Sequence, residues 1–315
     1  MSSILDDFKN AFKKPNNELM QLIIINAVVW VFLSLLWFFF EASAPAGKKT
    51  IYDHFTDYWY MHPQFLHVLK TFWTLITYQF SHLGFLHILF NMLWLYWFGK
   101  IIAEYIGSQK VLSIYILGGI AGGILFMLVY NLELISVHSM GLAANQPLLG
   151  ASAGVVAIMV AAAVLYPDYT FFLLILGPVK IKYIAAVSVF LSFISTMGSN
   201  AGGELAHIGG ALMGWLYVVQ LRKGNDIGHW VIRVVEFFKD LFKPKSKIKV
   251  SYRREQPRSK SRRPTSKTGN ARRAKGGSGL SEQEQIDAIL DKISAAGYES
   301  LTKEEKQKLF NASKK

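Results

Sequence analysis

The chain has 315 residues, of which 52% are hydrophobic, 17% are charged and none is cysteine. This composition is too apolar for a disordered protein, and it excludes disulfide scaffolds and cysteine-ligated metal sites. The net charge of +13 is concentrated in one segment: residues 244–279 hold 13 Lys and Arg against one Glu, whereas residues 1–243 hold 15 against 13. A soluble basic protein is therefore excluded as the main interpretation.

After a tail at residues 1–18, an uncharged stretch at Leu19–Phe40 is long enough to cross a ~30 Å hydrocarbon core as a helix. It is too long for a signal peptide, and Pro45 lies where cleavage would occur. Five further spans are predicted at Phe85–Tyr105, Val111–Tyr130, Ser152–Leu165, Ile181–Met197 and Leu205–Leu221. The sequence thus predicts an all-α membrane protein with a six-helix domain at residues 19–221, whose fourth span is unusually short.

Lys and Arg residues lie in alternate connections between these spans, while Asn131–Leu149 and Gly198–Glu204 contain none. This pattern predicts that both termini are cytoplasmic. The first loop, residues 42–84, carries three Lys and departs from the pattern, but long translocated loops follow it poorly. Its many aromatic residues indicate either a surface loop with amphipathic helices or a segment that enters the outer leaflet of the membrane and shapes a site.

The part of the chain after the last span divides into three segments. Residues 222–243 contain an amphipathic helix, Asn225–Phe242, expected on the cytoplasmic membrane surface. Residues 244–279 form a basic linker that we expect to be disordered and to bind anionic lipid, with nucleic acid or a solvated spacer as weaker alternatives. Residues 280–315 predict a small helical hairpin, in which Thr302 and Glu305 make a capping box.

Strongly polar residues occur inside three of the predicted spans. His87 and Asn91 share one face of the second span, Ser152 opens the fourth, and His207 lies early in the sixth. These three spans run in the same direction, so all four residues are expected in their outer portions. Isolated hydrogen bonds between helices would not predict this agreement in depth, and a common site is favoured.

The residue types indicate acyl transfer. Serine becomes a nucleophile when a base takes its proton, and histidine is the usual base at neutral pH. The free N–H groups of a helix that begins at Ser152, together with His87 and Asn91, could stabilise an oxyanion. No acid is well placed as a third member; Glu204 is the nearest, and we expect it to be dispensable. The prediction is a Ser152–His207 dyad.

Three motifs carry a family resemblance: His82-x-x-x-x-His87-x-x-x-Asn91, Gly150-Ala151-Ser152, and Ala206-His207-Ile208-x-Gly210-x-x-x-Gly214. Together they resemble the rhomboid intramembrane serine proteases of the bacterial, six-helix type, and this resemblance implies a location in the inner cell membrane. The resemblance implies that Ser152 is the nucleophile and His207 the base. It also implies an oxyanion hole made of His87, Asn91 and the Ser152 N–H, with Gly150, His82, Gly210 and Gly214 in support. The implied substrates are transmembrane proteins, cut in or beside their helices through an acyl-enzyme, without metal or cofactor.

The chain departs from the family pattern at three places. Ala153 replaces a glycine that follows the nucleophile in some members, and Thr74 follows Trp73 where the family has Arg. Val156 replaces an aromatic residue that stacks on the catalytic histidine in some members, so the orientation of His207 must come from elsewhere. None of these changes removes a reacting group.

Two further hypotheses remain beside the protease. The chain could be a catalytically silent rhomboid-fold protein that binds membrane proteins as a chaperone or scaffold. A transporter is the third possibility, and it is disfavoured because no acidic residue lies in the middle of a predicted span.

Overall fold

The computed structural model describes residues 10–42, 44–45, 48–132, 146–173, 176–196, 200–242, 282–296 and 300–312. The chain divides into two compact units, Met1–Ser246 and Lys247–Lys315. The basic linker predicted at 244–279 lies outside the described residues, as do residues 1–9 of the N-terminal tail. The disorder and the lipid binding expected of the linker at 244–279 stay predictions.

The described part of the first unit is mainly helical, as the sequence predicts. Its helices are α1 (Glu18–Phe40), α2 (Ile51–Asp57), α3 (Phe65–Lys70), α4 (Thr74–Thr77), α5 (Phe85–Ile106), α6 (Ser108–Asn131), α7 (Ser152–Leu165), α8 (Ile181–Ser195), α9 (Ala201–Arg222) and α10 (His229–Phe242). A short 3-10 helix follows α4 at Tyr78–Phe80. The second unit contains α11 (Glu282–Ala296) and α12 (Lys303–Ala312).

Three of these helices, α1, α5 and α6, are long and apolar enough to cross a membrane. Helices α7 and α8 are apolar but shorter, and α9 occupies the position of the sixth predicted span, beginning at Ala201 rather than at Leu205. The helical bundle is therefore confirmed, whereas the count of six spans stays a prediction. The predicted bounds of the short fourth span agree with α7 at both ends.

The connection between α7 and α8 contains a small antiparallel sheet that the sequence analysis did not predict. Strands β1 (Thr170–Leu173) and β2 (Gly177–Lys180) pair with Thr170 opposite Lys180. Asp168 accepts hydrogen bonds from Lys180 at 2.9 Å and Lys182 at 3.0 Å. Both pairs are exposed to solvent, so they orient the hairpin and contribute little to stability.

The first loop is folded against the segment that leads into α7. Met61 and Leu148 exchange two backbone hydrogen bonds, of 3.1 and 2.7 Å, and the carbonyl of Tyr78 accepts a bond of 3.0 Å from the N–H of Gly150. The hydroxyl of Tyr78 donates to the carbonyl of Gly119 on α6 at 2.6 Å. The loop thus fixes the chain immediately before Ser152.

Small residues bring the backbones of α6, α7 and α9 together. A Cβ added to Gly210 of α9 would overlap the carbonyl oxygen of Ala153 on α7, and one added to Gly214 would overlap that of Ala157. A Cβ added to Gly122 of α6 would lie 2.6 Å from the carbonyl oxygen of Ala206. Such close approach is typical of helix packing in membranes.

Helix α10 begins at His229, four residues later than predicted, because a turn precedes it. Asp226 pairs with Lys110, accepts a hydrogen bond of 3.0 Å from the hydroxyl of Tyr217, and accepts one of 3.2 Å from the N–H of Gly228. On α10 itself Val231 is buried against the bundle. The side chains of Trp230, Phe237, Phe238 and Leu241 on this helix are exposed.

In the second unit, Thr302 and Glu305 form the predicted capping box. The N–H of Thr302 donates to the Glu305 carboxylate at 2.7 Å, and the N–H of Glu305 donates to the Thr302 hydroxyl at 3.3 Å. The ammonium of Lys292 on α11 lies 2.9 Å from the same carboxylate, which ties the two helices to each other.

We predict that Gly214→Ala destabilises the bundle. Alanine is the better helix former by about 1 kcal/mol, but its Cβ would meet the Ala157 carbonyl, and overpacking of this kind costs about 1–3 kcal/mol. The midpoint of thermal unfolding in detergent should therefore fall. Gly84→Ala is the matched control, because no atom lies within 4 Å of its added Cβ. Equal midpoints for Gly214→Ala and the wild type would contradict the packing described above.

The attachment of α10 should depend on pH through Asp226. Burial favours the neutral acid, but the hydrogen bonds from Lys110 and Tyr217 outweigh it and hold the pKa of Asp226 below its usual value. A carboxyl with a lowered folded-state pKa stabilises the fold above its unfolded pKa of about 3.9, and this contribution is lost as the pH falls through the folded value. Acidification below about pH 4 should release α10, and Asp226→Asn should release it at neutral pH.

Because the chain has no cysteine, a single Val231→Cys substitution reports this release. Its reaction with dithiodipyridine, which attacks thiols at acidic pH, should accelerate relative to that of Arg233→Cys, an exposed position on the same helix. If Asp226→Asn leaves this ratio of rates unchanged at neutral pH, Asp226 does not hold α10.

Candidate active site

A turn at Gly150 directs the chain into α7. Gly150 has φ = +124°, a conformation that residues with a side chain rarely adopt, and its N–H is bonded to Tyr78. The helix begins two residues later at Ser152, so the first N–H groups of α7 have no carbonyl partner within the helix. The Ser152 hydroxyl therefore lies beside a set of free backbone donors.

Helix α5 places His87 against this turn. A Cβ built on Gly150 would lie 3.3 Å from both Cε1 and Nε2 of His87 and 3.7 Å from the Ser152 hydroxyl. One turn further along α5, Asn91 is buried and donates from Nδ2 to the carbonyl of His87 at 3.0 Å. The buried ring of His82 packs edge-on against His87, with 5.0 Å between the ring centroids. His87, Asn91 and the start of α7 thus surround one point.

His207 lies on α9 with its Nδ1 atom engaged. The Ser192 hydroxyl of α8 is 3.0 Å from Nδ1, and the Glu204 carboxylate, one turn before His207 on the same helix, is 3.1 Å from it. The sequence predicts no acid in a suitable position beside His207. The position of Glu204 shows that this prediction is wrong. The spacing of three residues on a helix puts the carboxylate on the face that carries the imidazole.

Two cavities meet at these residues. A cavity of about 480 Å³ lies between α5 and α8, and another of about 930 Å³ extends toward the first loop. Both are lined by the same four side chains, namely Ser152, His207, His87 and Asn91. The structure therefore brings together the four residues that the sequence predicted as one site. Within the described residues, Ser152 and His207 are not hydrogen-bonded to each other.

The predicted supporting residues have identifiable contacts. Gly150 forms the turn, His82 packs on His87, and Gly210 and Gly214 allow α9 to approach α7. Val156, where an aromatic side chain was expected from the family pattern, lines the smaller cavity.

Ser192, which contacts His207, was not predicted from the sequence as a residue of the site. It is buried on α8, and Ser188, Ser192 and Ser195 all line the smaller cavity from this otherwise apolar helix. The signal was available, because three serines spaced by four and three residues share one face of a helix. Among the described residues there is no group of three His, Asp or Glu that could hold a metal ion.

Chemically, the site joins a serine hydroxyl, an imidazole and several hydrogen-bond donors at the edge of a cavity. Backbone N–H groups at a helix start and side chains such as those of His87 and Asn91 are the donors that stabilise oxyanions. This combination suits acyl transfer.

The chain is similar to known proteins over part of its length. Residues 69–224 match the Rhomboid domain, and residues 279–315 match a family of unknown function, DUF6576. RHOMBOID-like protein 12, mitochondrial, of Arabidopsis thaliana is 35% identical over 48% of the chain and 47% of its own length. Rhomboid-like protein 16, chloroplastic, of the same organism is 30% identical over 48% and 50%. Rhomboid protein 1, mitochondrial, of Saccharomyces cerevisiae is 32% identical over 44% and 38%.

The aligned part thus covers about half or less of each of these relatives. Their names assign them to mitochondria or chloroplasts, and they give no support to the bacterial type or to the inner cell membrane expected from the sequence. Together with the apolar helices, they support a membrane protein.

We predict that Gly150→Ala loosens the segment before Ser152. The backbone conformation at Gly150 costs a residue with a side chain about 1–3 kcal/mol, and the added Cβ presses on His87. Amide hydrogen exchange should accelerate in the peptide that covers residues 148–152. Gly177→Ala is a matched control, because Gly177 also has a positive φ but its added Cβ meets nothing. Unchanged exchange in Gly150→Ala would show that the turn does not depend on glycine.

Proposed function

The chain is a rhomboid family protein, and from that premise we propose that it is an active serine endopeptidase that cuts other membrane proteins in or beside their transmembrane helices. Family membership implies intramembrane protease function. The observation that carries the proposal for this chain is the convergence of Ser152, His207, His87 and Asn91, from three helices, on two adjoining cavities. A purely structural set of polar residues would not be expected to share an opening.

In the proposed reaction, Ser152 is the nucleophile and His207 the base. The Ser152 oxygen bonds to the carbonyl carbon of the scissile peptide, and its proton passes to His207. The C–N bond then breaks, and His207 returns the proton to the leaving amine. Water next attacks the acyl-enzyme ester, its proton passes through His207 to the Ser152 oxygen, and a free carboxylic acid is released. The balance requires no metal, cofactor or oxidant.

The negative charge of the tetrahedral intermediate is proposed to rest between His87, Asn91 and the N–H of Ser152. The contact of His87 with the Gly150 turn and the position of Ser152 at a helix start support this role. Such donors stabilise an oxyanion by amounts that change the rate by about 10²–10³ each.

Orientation and partners belong to the same proposal. The alternation of Lys and Arg supports an orientation with both termini on one side of the membrane and the active site open toward the other side. The substrates would be transmembrane proteins, and residues 244–279 would bind anionic lipid rather than nucleic acid.

A catalytically silent binding protein is the second candidate, since Ser152 and His207 are not hydrogen-bonded to each other among the described residues. Catalytic hydrogen bonds are often long in the absence of substrate, which leaves the protease favoured. The two candidates differ in whether Ser152 is reactive.

We predict that a fluorescent fluorophosphonate labels the full-length chain in detergent, because it reacts with serines activated by a base. Ser152→Ala should abolish the label, and His207→Ala should slow labelling by about 100-fold or more, the usual contribution of a general base. Ser34→Ala is the control, as Ser34 is an exposed serine of α1. Label retained by Ser152→Ala would refute its role as nucleophile, and a folded wild type that takes no label would favour the silent protein.

A further inference from the structure

We infer that Glu204 and Ser192 are positioning residues that hold His207 by its Nδ1 atom and so leave Nε2 free to accept the proton of Ser152. The inference rests on the proposed function and revises the expectation that Glu204 is dispensable. It starts from the pair of contacts at Nδ1, of 3.1 Å to the Glu204 carboxylate and 3.0 Å to the Ser192 hydroxyl.

The contacts determine which imidazole nitrogen carries the proton. A carboxylate can only accept hydrogen bonds, so the Nδ1 atom beside Glu204 must be the donor. In a neutral imidazole the other nitrogen, Nε2, then has the free lone pair. A base needs that lone pair, and an imidazole with the opposite proton placement could not take a proton at Nε2.

The carboxylate is itself held in place. The backbone N–H of Glu204 donates to the carbonyl of Asn200 at 3.1 Å, and its carboxylate shares the Nδ1 atom of His207 with the Ser192 hydroxyl. The side chains of Glu204 and His207 are only 18% and 19% exposed. A partly buried acidic group near a membrane is costly unless it is satisfied, and such groups are functional more often than structural.

The same contacts replace a support that the chain lacks. Val156 cannot stack on an imidazole as an aromatic side chain would. Ser192 and Glu204 instead hold Nδ1 from two helices, α8 and α9, which limits both the tilt and the rotation of the ring. When His207 takes a proton, the carboxylate also stabilises the imidazolium that forms.

A merely structural alternative is that Glu204 stabilises the first turn of α9, where acidic residues interact favourably with the helix dipole. That role predicts a change in unfolding midpoint, with no effect on the reactivity of Ser152 beyond it. The two roles therefore separate in the kinetics of fluorophosphonate labelling, which resolve probe binding (KI) from the chemical step (kinact).

The test uses the full-length protein in detergent and the variants Glu204→Ala, Glu204→Gln and Ser192→Ala. We expect Glu204→Ala to lower kinact at least about tenfold while KI stays unchanged. Added formate should restore part of kinact in Glu204→Ala alone, because a small carboxylate can occupy the space that the side chain leaves. The double variant Glu204→Ala/Ser192→Ala should show a smaller fold-reduction of kinact than the product of the two single reductions, because both residues act on one ring. Glu236→Gln and Ser34→Ala are controls at exposed positions and should label like the wild type.

A kinact of Glu204→Ala equal to that of the wild type would overturn the inference. So would a reduction of kinact that formate does not restore and that parallels a fall in the unfolding midpoint. If Glu204→Ala does not fold, Glu204→Gln, which keeps the size of the side chain, decides the matter: wild-type kinact there overturns the role of the carboxylate. Failure of the wild type to label at all would instead refute the proposed function.

Discussion

The backbones of α6, α7 and α9 approach one another so closely that only glycine and alanine fit at the points of contact. Gly210 and Gly214 rest on carbonyl oxygens of α7, and Gly122 rests on one of α9. Within a bilayer the lipid tails are as apolar as the helices, so the contact depends on close van der Waals packing rather than on escape from water. This packing sets the distance between the helix that begins at Ser152 and the helix that carries His207.

Around this contact, the first loop and α8 supply hydrogen bonds to the segment before Ser152 and to His207. The first loop holds the turn before Ser152 by backbone bonds to Met61 and Tyr78, and α8 reaches His207 through Ser192. The irregular backbone of residues 148–151 is covered by protein, with Leu148, Gly150 and Ala151 buried. The site is therefore built from the packed helices α7 and α9, from α5, which carries His87 and Asn91, and from the first loop and α8, which supply hydrogen bonds.

Much of this was accessible from the sequence because it depends on local pattern. The bounds of α7 followed from a change between polar and apolar residues, and the convergence of His87, Ser152 and His207 followed from span direction. Tertiary hydrogen bonds were not accessible: the Met61–Leu148 pairing joins residues far apart in the chain. The β1–β2 hairpin was missed because strands of four residues carry almost no periodicity. Glu204 was seen but not placed, since only side-chain geometry brings its carboxylate to His207.

The cavity that extends from the site toward the first loop bears on how fast hydrolysis could proceed inside a membrane. Its volume of about 930 Å³ is many times the space that one water molecule needs. Polar side chains such as Asp57, Gln146 and Asn200 line it, which favours filling over dewetting. In the proposed reaction each turnover would consume one molecule from this local reservoir, so diffusion of water through hydrocarbon would not limit the turnover number.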